Sequence, residues 1–261
     1  ASRETAAHPK IVSRHAEHVE NQGFYNAYYS NNGDVAEYIA HAGPNLWLGI
    51  AIMQFTNKTG DHKYLVVARQ IADWIATLQD TEGGIAGGRT LSWYSTEHNL
   101  DGYAFFAMLY EVTHEERYKI NAEKILGWLE KYAYSNEEIP INRGKGDATI
   151  ATDTYAWSIA ALGPALLEHR GMHPHQIAEF AIEHCAVTTK FNNRFGKEVT
   201  VSGFDFAKPG HTARGGIISC EWTAQMILAF RLLSDYYSQI KDIKKASYYQ
   251  AQAMKYLNEL N

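Results

Sequence analysis

The sequence predicts an all-α fold built from stacked helical hairpins. Three observations predict it. The first is an internal repeat at an offset of 54: Thr59, Tyr64, Ala68, Ile71 and Trp74 return as Thr113, Tyr118, Ala122, Ile125 and Trp128, and Asn45 and Leu46 return as Asn99 and Leu100. The second is helical periodicity along most of the chain. The third is an alternation between two kinds of helix. Leu46 to Phe55 and Tyr103 to Tyr110 are apolar nearly all round, whereas Asp61 to Gln79 and Glu115 to Lys131 carry charge on one side. A helix apolar all round is buried, and an amphipathic one covers it. One hairpin cannot bury its apolar face alone, so copies must stack. First members then form an inner ring and second members an outer ring. That is an α/α toroid, complete or incomplete, of about four to six hairpins, read as one domain over residues 1–261.

The elements follow in order. A first helix is expected near 8–21, a second over 44–57 and a third over 61–79. The Thr59-Gly60-Asp61 turn joins the last two, with Asp61 as N-cap. A fourth spans 97–112 and a fifth 115–133, and Thr113 and Glu116 between them have capping-box spacing. The remaining helices are expected over 153–169, 174–187, 219–236 and 242–260. Three long connections interrupt them, at 80–94, 135–150 and 191–217, and each leads from an outer helix back to an inner one. Loops of this length are uncommon in compact domains unless they bind something. All three are expected on one rim, where inner helices begin.

Composition narrows the classes. A hydrophobic fraction of 46% and a mean hydropathy of −0.35 suit a soluble globular core. The sequence has no run of eighteen apolar residues, so no membrane span is expected. The net charge of −5 is spread along the chain without a basic stripe, which argues against nucleic acid. Cys185 and Cys220 are the only cysteines. They read as two buried core thiols rather than a zinc site or a disulfide framework. The start, Ala1-Ser2-Arg3-Glu4-Thr5, has neither an initiator Met nor an apolar leader core. It fits either a mature secreted or periplasmic form or a trimmed chain. Oligomeric state is not legible.

Candidate chemistry gathers at the inner-helix starts. Asn45, Glu97 with His98 and Asp101, Asp153 and Glu221 stand there, with Trp47, Tyr103, Trp157 and Trp222 within about a turn. Glycosidic cleavage needs this kind of set: one carboxyl group gives a proton to the leaving oxygen, and another activates water or attacks carbon. Indole and phenol faces would hold the sugar. Each acid also has a plain reading. Asp153 after Thr152 could be an N-cap, and Glu97 in a first turn complements the helix dipole. Glu97 and Asp101, however, put two like charges four apart, which is unfavourable unless used. Their counterparts in the first copy are Gly43 and Trp47, so the acids are additions to the repeat. His98 lacks a partner at metal-ligand spacing, so no metal or other cofactor is expected. No GxSxG elbow and no phosphate-loop ending is present. Asp205, between Phe204 and Phe206, reads equally as a ligand contact or a structural turn.

Trp93 to Asp101, Thr59 to Leu65 and Leu78 to Ile85 together resemble the six-hairpin glycosidase superfamily, over about residues 22–260. The resemblance implies an (α/α)-toroid acting on polysaccharides, with catalysis at inner-helix starts, where Glu97, Asp101 and Asp153 lie. Six hairpins need twelve helices, and about nine are read here. The toroid also houses polysaccharide lyases, sugar epimerases, terpene cyclases and lanthionine synthetases, so fold alone does not give function.

The leading expectation is a glycoside hydrolase of bacterial type, acting on a β-linked or plant or microbial polysaccharide. Glu97 is its general acid and Asp153 its base, with Asp101 orienting Glu97 or exchanging roles with it. Asn45, Trp47, His98, Tyr103, Trp157, Asp205, Glu221 and Trp222 contact the carbohydrate. Two alternatives stand beside it. One is a non-catalytic carbohydrate-binding or assembly module. The other is a lyase or epimerase drawing on Tyr94, His98, Arg143 and Arg214.

Overall fold

The structure, a computed structural model, describes residues 23–135 and 137–260. The helix expected over 8–21 lies outside the described residues. Two short strands come first, β1 (Ala27–Tyr28) and β2 (Val35–Glu37), paired antiparallel. Helices α1 (Ala42–Thr59), α2 (Leu65–Ala76), α3 (Thr96–Thr113) and α4 (Glu116–Tyr132) follow. Then come α5 (Thr152–Leu162), α6 (Pro164–His169) and α7 (Pro174–Cys185). A hairpin of β3 (Ala186–Asn192) and β4 (Glu198–Phe204) precedes α8 (Cys220–Gln239) and α9 (Ile243–Glu259). The chain divides into two compact units, Ala1–Leu129 and Glu130–Asn261. None of the described helices is long and apolar enough to cross a membrane.

The first unit shows why the repeat exists. Thr59 Oγ1 donates to the Phe55 carbonyl at 2.7 Å and accepts from the Asp61 N–H at 3.1 Å. Thr113 Oγ1 repeats both bonds, to the Leu109 carbonyl at 2.7 Å and from the Glu115 N–H at 3.3 Å. Each helix then closes on a left-handed residue, Gly60 (φ 69°) or His114 (φ 56°), which satisfies a terminal carbonyl. Thr113 therefore serves the end of α3 rather than a capping box with Glu116. Asp61 is not an N-cap either. It accepts from the Lys63 N–H at 3.0 Å inside the turn, and α2 starts after Tyr64. Trp74 and Trp128, matched by the repeat, are both buried.

The first members of the two hairpins pack side by side through glycine. A Cβ on Gly49 would lie 2.5 Å from the Phe105 ring, and one on Gly43 would lie 2.4 Å from His98 Nε2. Such contacts put the starts of α1 and α3 at one end of the unit. Leu46, Ile50 and Met53 of α1 meet a core that includes Ile71, Ile75, Leu100, Phe105, Phe106 and Ile125. Each such side chain contributes about 1.5–3 kcal/mol on burial. The second members are tied by charge: Arg69 Nη2 reaches Glu115 at 2.8 Å, and Arg117 Nη1 reaches Asp73 at 2.6 Å.

In the second unit the helix expected over 153–169 is broken. Gly163 takes φ 76°, and Pro164, which has no N–H to donate, starts α6. The loop expected over 191–217 is also partly wrong, because its first half belongs to the β3–β4 hairpin, with Ala186 opposite Phe204 and Asn192 opposite Glu198. Many of the aromatics serve the core here. Phe230 stacks on Tyr249 at 6.0 Å and Tyr237 on Tyr249 at 5.9 Å, while Phe204 lies 4.7 Å from Tyr256. Cys185 is buried and burial pushes its thiol up to about 11. Cys220 is exposed, contrary to the expectation of two core thiols, because it sits on the open side of the first turn of α8.

Candidate active site

The helix starts share one register. The N-caps of α1, α3, α5 and α8 are His41, Ser95, Ala151 and Ser219. Two residues past each cap stand Gly43, Glu97, Asp153 and Glu221. Three of the four are acids, at the position where backbone N–H groups favour negative charge. Asp153 is therefore not a cap. Four past each cap stand Asn45, Asn99, Tyr155 and Thr223, all buried.

That fourth position holds the preceding segment in place. Asn45 Oδ1 accepts from the Phe24 N–H at 2.7 Å, and its Nδ2 donates to the Phe24 and His41 carbonyls at 2.9 Å each. Asn99 does the same for Ile85, accepting from its N–H at 2.7 Å and donating to its carbonyl at 3.1 Å. Thr223 Oγ1 accepts from the Phe204 N–H at 2.9 Å. Each held residue follows a glycine, namely Gly23, Gly84 or Gly203. A Cβ on Gly84 would lie 2.4 Å from Trp128 Nε1, and one on Gly23 would lie 2.7 Å from the Trp74 ring. This second layer of the repeat escaped sequence reading because its members are separated by unequal stretches. The Asn45 amide thus bonds two scaffold carbonyls and an N–H.

In the first unit, the Ser95 side chain accepts from the His98 N–H at 3.4 Å, which fixes the first turn of α3. Glu97 is half-buried there and Asp101, one turn on, is fully buried. His98 lies against Gly43 of α1, and Trp93 lies 5.3 Å from the His98 ring. Tyr103 is half-buried, and Trp47 is 46% exposed on the flank of α1.

In the second unit, residues 204–208 lace the starts of α5 and α8 together. Thr152 donates its N–H to the Phe206 carbonyl at 2.8 Å and its hydroxyl to the Asp205 carbonyl at 2.5 Å. The Ser219 N–H reaches the Phe204 carbonyl at 2.9 Å. Asp205 is buried, with Oδ1 accepting from the Phe206 N–H at 2.7 Å and Oδ2 from the Ile217 N–H at 3.1 Å. Both carboxyl oxygens of Asp205 thus accept main-chain N–H groups and close the loop.

Asp153 is 9% exposed, and its Oδ1 accepts from the Thr154 N–H at 2.7 Å. Burial raises its pKa above the ordinary carboxylate value. The Thr154 N–H and the Arg143 guanidinium oppose the rise, and the charge of Glu221 adds to it. Glu221 is exposed. Phe206 and Trp222 meet edge to face at 5.1 Å, and the Arg143 guanidinium lies 5.6 Å from the Phe206 ring. Trp157 is half-buried one turn along α5 from Asp153. The unit thus gathers a shielded carboxyl, an exposed carboxylate, a guanidinium and aromatic rings. Phe206 was missed by sequence reading, since only the path of residues 204–208 brings it there. Among the described residues, no group of three or more His, Cys, Asp or Glu is placed to hold a metal ion.

No family model and no curated protein sequence matches the chain. Solved structures do. A family 76 glycoside hydrolase from a bovine Bacteroides thetaiotaomicron strain shares 17% identity at a TM-score of 0.55, over 98% of this chain and 54% of its own. An alpha-amylase from Clostridium perfringens shares 13% at 0.56, over 92% of this chain and 74% of its own. A D-mannose isomerase shares 13% at 0.60, over 87% of this chain and 60% of its own. The chain thus spans little more than half the length of the first of these. The likeness shows the fold: it is all-α, of the α/α-toroid class that the six-hairpin resemblance implied.

Proposed function

We propose that the chain processes carbohydrate, and that it cleaves a glycosidic bond in an α-linked, mannose- or glucose-containing saccharide. One observation carries the reading: a shielded carboxyl with a raised pKa, Asp153, sits within electrostatic range of an exposed carboxylate, Glu221, at matched positions of two helix starts. A carboxyl whose pKa is raised by burial keeps its proton as an acid, beside an exposed second carboxyl that can serve as base. The glycoside hydrolases and the mannose isomerase among the structural neighbours supply the substrate class.

In this reading the acid role goes to buried Asp153 and not to half-buried Glu97. Asp153 gives its proton to the glycosidic oxygen as the bond to C1 breaks, so the leaving sugar departs as an alcohol. Glu221 takes a proton from the water that attacks C1, or attacks C1 itself to form an ester that water then cleaves, Asp153 taking that water's proton. A carboxyl separation of about 6.5–9.5 Å goes with the first course and about 5–5.5 Å with the second. Trp222, Phe206 and Trp157 offer apolar faces to the sugar, and Arg143 offers hydroxyl contacts. Glu97 is assigned to a sugar hydroxyl in the first unit. Fully buried Asp101 acts there as a positioning residue.

Asp153→Asn tests the acid role. It should lower hydrolysis of mannotetraose about 10²–10⁴-fold. Activity on a dinitrophenyl mannoside should survive, since that leaving group departs without a proton. Equal loss on both substrates, or on neither, rejects the assignment. A second reading, sugar isomerisation, is favoured by the TM-score of 0.60 to the D-mannose isomerase. It predicts conversion of free mannose to a ketose with no release of reducing ends from oligosaccharides.

A further inference from the structure

Trp93 is not among the residues assigned so far, yet its setting is that of a built platform. A Cβ on Gly87 would lie 2.3, 2.4 and 2.5 Å from Cζ2, Cη2 and Cε2 of the indole. Three adjacent ring atoms at nearly equal distance mean that the glycine backs the face of the ring and not its edge. Gly87 is itself fixed, its N–H bonded to the Trp93 carbonyl at 3.0 Å and its carbonyl to the Ala42 N–H at 2.8 Å. Trp93 is nevertheless 45% exposed. One face of its ring is thus seated on main chain in a residue that stays open to solvent.

Two imidazoles lie beside that ring. His98 lies 5.3 Å away and His41 lies 6.2 Å away, centroid to centroid. The His41 tautomer follows from its partner. Asn26 Oδ1 accepts from the His41 backbone N–H at 3.1 Å, so the amide nitrogen of Asn26 is the atom 2.7 Å from His41 Nδ1. Nδ1 accepts that bond, so in the neutral ring the proton sits on Nε2, which is a donor. A rigid apolar face with a hydrogen-bond donor beside it suits a ligand with one apolar face and a polar rim. A pyranose ring is such a ligand: its C–H face stacks and its hydroxyls reach outward.

We propose that Trp93, backed by Gly87 and flanked by His41 and His98, is a sugar-stacking subsite of the first unit. It holds one pyranose ring of an oligosaccharide. The inference rests on the carbohydrate reading above and names a binding place within it. Its ligand chemistry is a neutral pyranose, because the donor derived beside the ring is the His41 imidazole.

The test uses the full chain carrying Asp153→Asn, so that ligand is not consumed, titrated calorimetrically with mannotetraose, maltotetraose and xylotetraose. Adding Trp93→Ala should weaken the best-bound tetraose at least 10-fold. Trp93→Phe should retain part of the affinity. Phe195→Ala, which removes an exposed ring of the β3–β4 turn, should leave binding unchanged. Circular dichroism checks that each variant folds, and Trp93→Phe covers failure of the alanine variant. Unchanged affinity in both Trp93 variants overturns the subsite and leaves the hydrolase reading standing. Binding that depends on Trp93, in a chain whose unsubstituted form releases no reducing ends, upholds the subsite and overturns hydrolysis. No binding of any of the three tetraoses overturns both.

Discussion

Helices α1 and α3 are copies of one another, and their differences separate scaffold from chemistry. Both carry a buried Asn four past the cap that brackets a residue after a glycine. Both end in a Thr bonded forward and back, and both are followed by a helix with a buried Trp. They part at the open end: Gly43 against Glu97, Pro44 against His98, and Trp47 against Asp101. Positions that agree hold the hairpins together. Positions that disagree are free to carry a site.

The shared positions should break the fold when changed. Asn99→Ala strips the side-chain partner from the Ile85 N–H and carbonyl and should cost about 3 kcal/mol of stability. Asn45→Ala should cost a similar amount, since its bonds match. Glu97→Gln, at a position that differs, should change stability by less than about 0.5 kcal/mol. Urea unfolding of the three variants decides this. A Glu97→Gln loss as large as that of Asn99→Ala would erase the division.

A smaller effect is the pH dependence contributed by Asp153. Its folded pKa is raised by burial, so the folded state holds this proton more tightly than the unfolded chain does. The resulting stability is fully present below the ordinary carboxylate pKa of about 4 and is lost as pH rises through the raised folded value. Asp153→Asn cannot ionise and keeps an acceptor for the Thr154 N–H. Its stability relative to the parent should therefore improve as pH rises from 4 to 7. A gap that stays flat across that range contradicts the shift.

The smallest effect concerns the helix ends. His114 holds the left-handed conformation that Gly60 holds in the other copy. Glycine occupies that region without steric penalty. His114→Gly should raise stability by about 0.5–1 kcal/mol, less whatever its ring contributes against Tyr110 at 6.3 Å. A fall in thermal midpoint would show that this contact outweighs the backbone strain.

The sequence displayed the hairpins because Asn, Thr, Tyr and Trp are chemically distinctive and recur at fixed spacing. It hid the glycine layer because the intervening connections differ in length. Gly163-Pro164 was a readable break that helical periodicity on both sides overrode. Val187-Thr188-Thr189 and Val199-Thr200-Val201, flanking a turn with Asn193 and Gly196, were a readable hairpin inside an otherwise helical pattern. The acids were legible as residues but not as roles. Nothing in the local sequence of Asp153 tells that it is shielded while Glu221 is open. Nor does the sequence around Asp205 tell that both its oxygens are taken by main chain.

The account turns on an unequal pair of carboxyl groups at the starts of α5 and α8. Replacing Glu221 with Gln and following reducing-sugar release from mannotetraose tests it most directly. The account predicts a fall of about 10³-fold or more with an unchanged unfolding midpoint. A variant that hydrolyses at the parent's rate would contradict it.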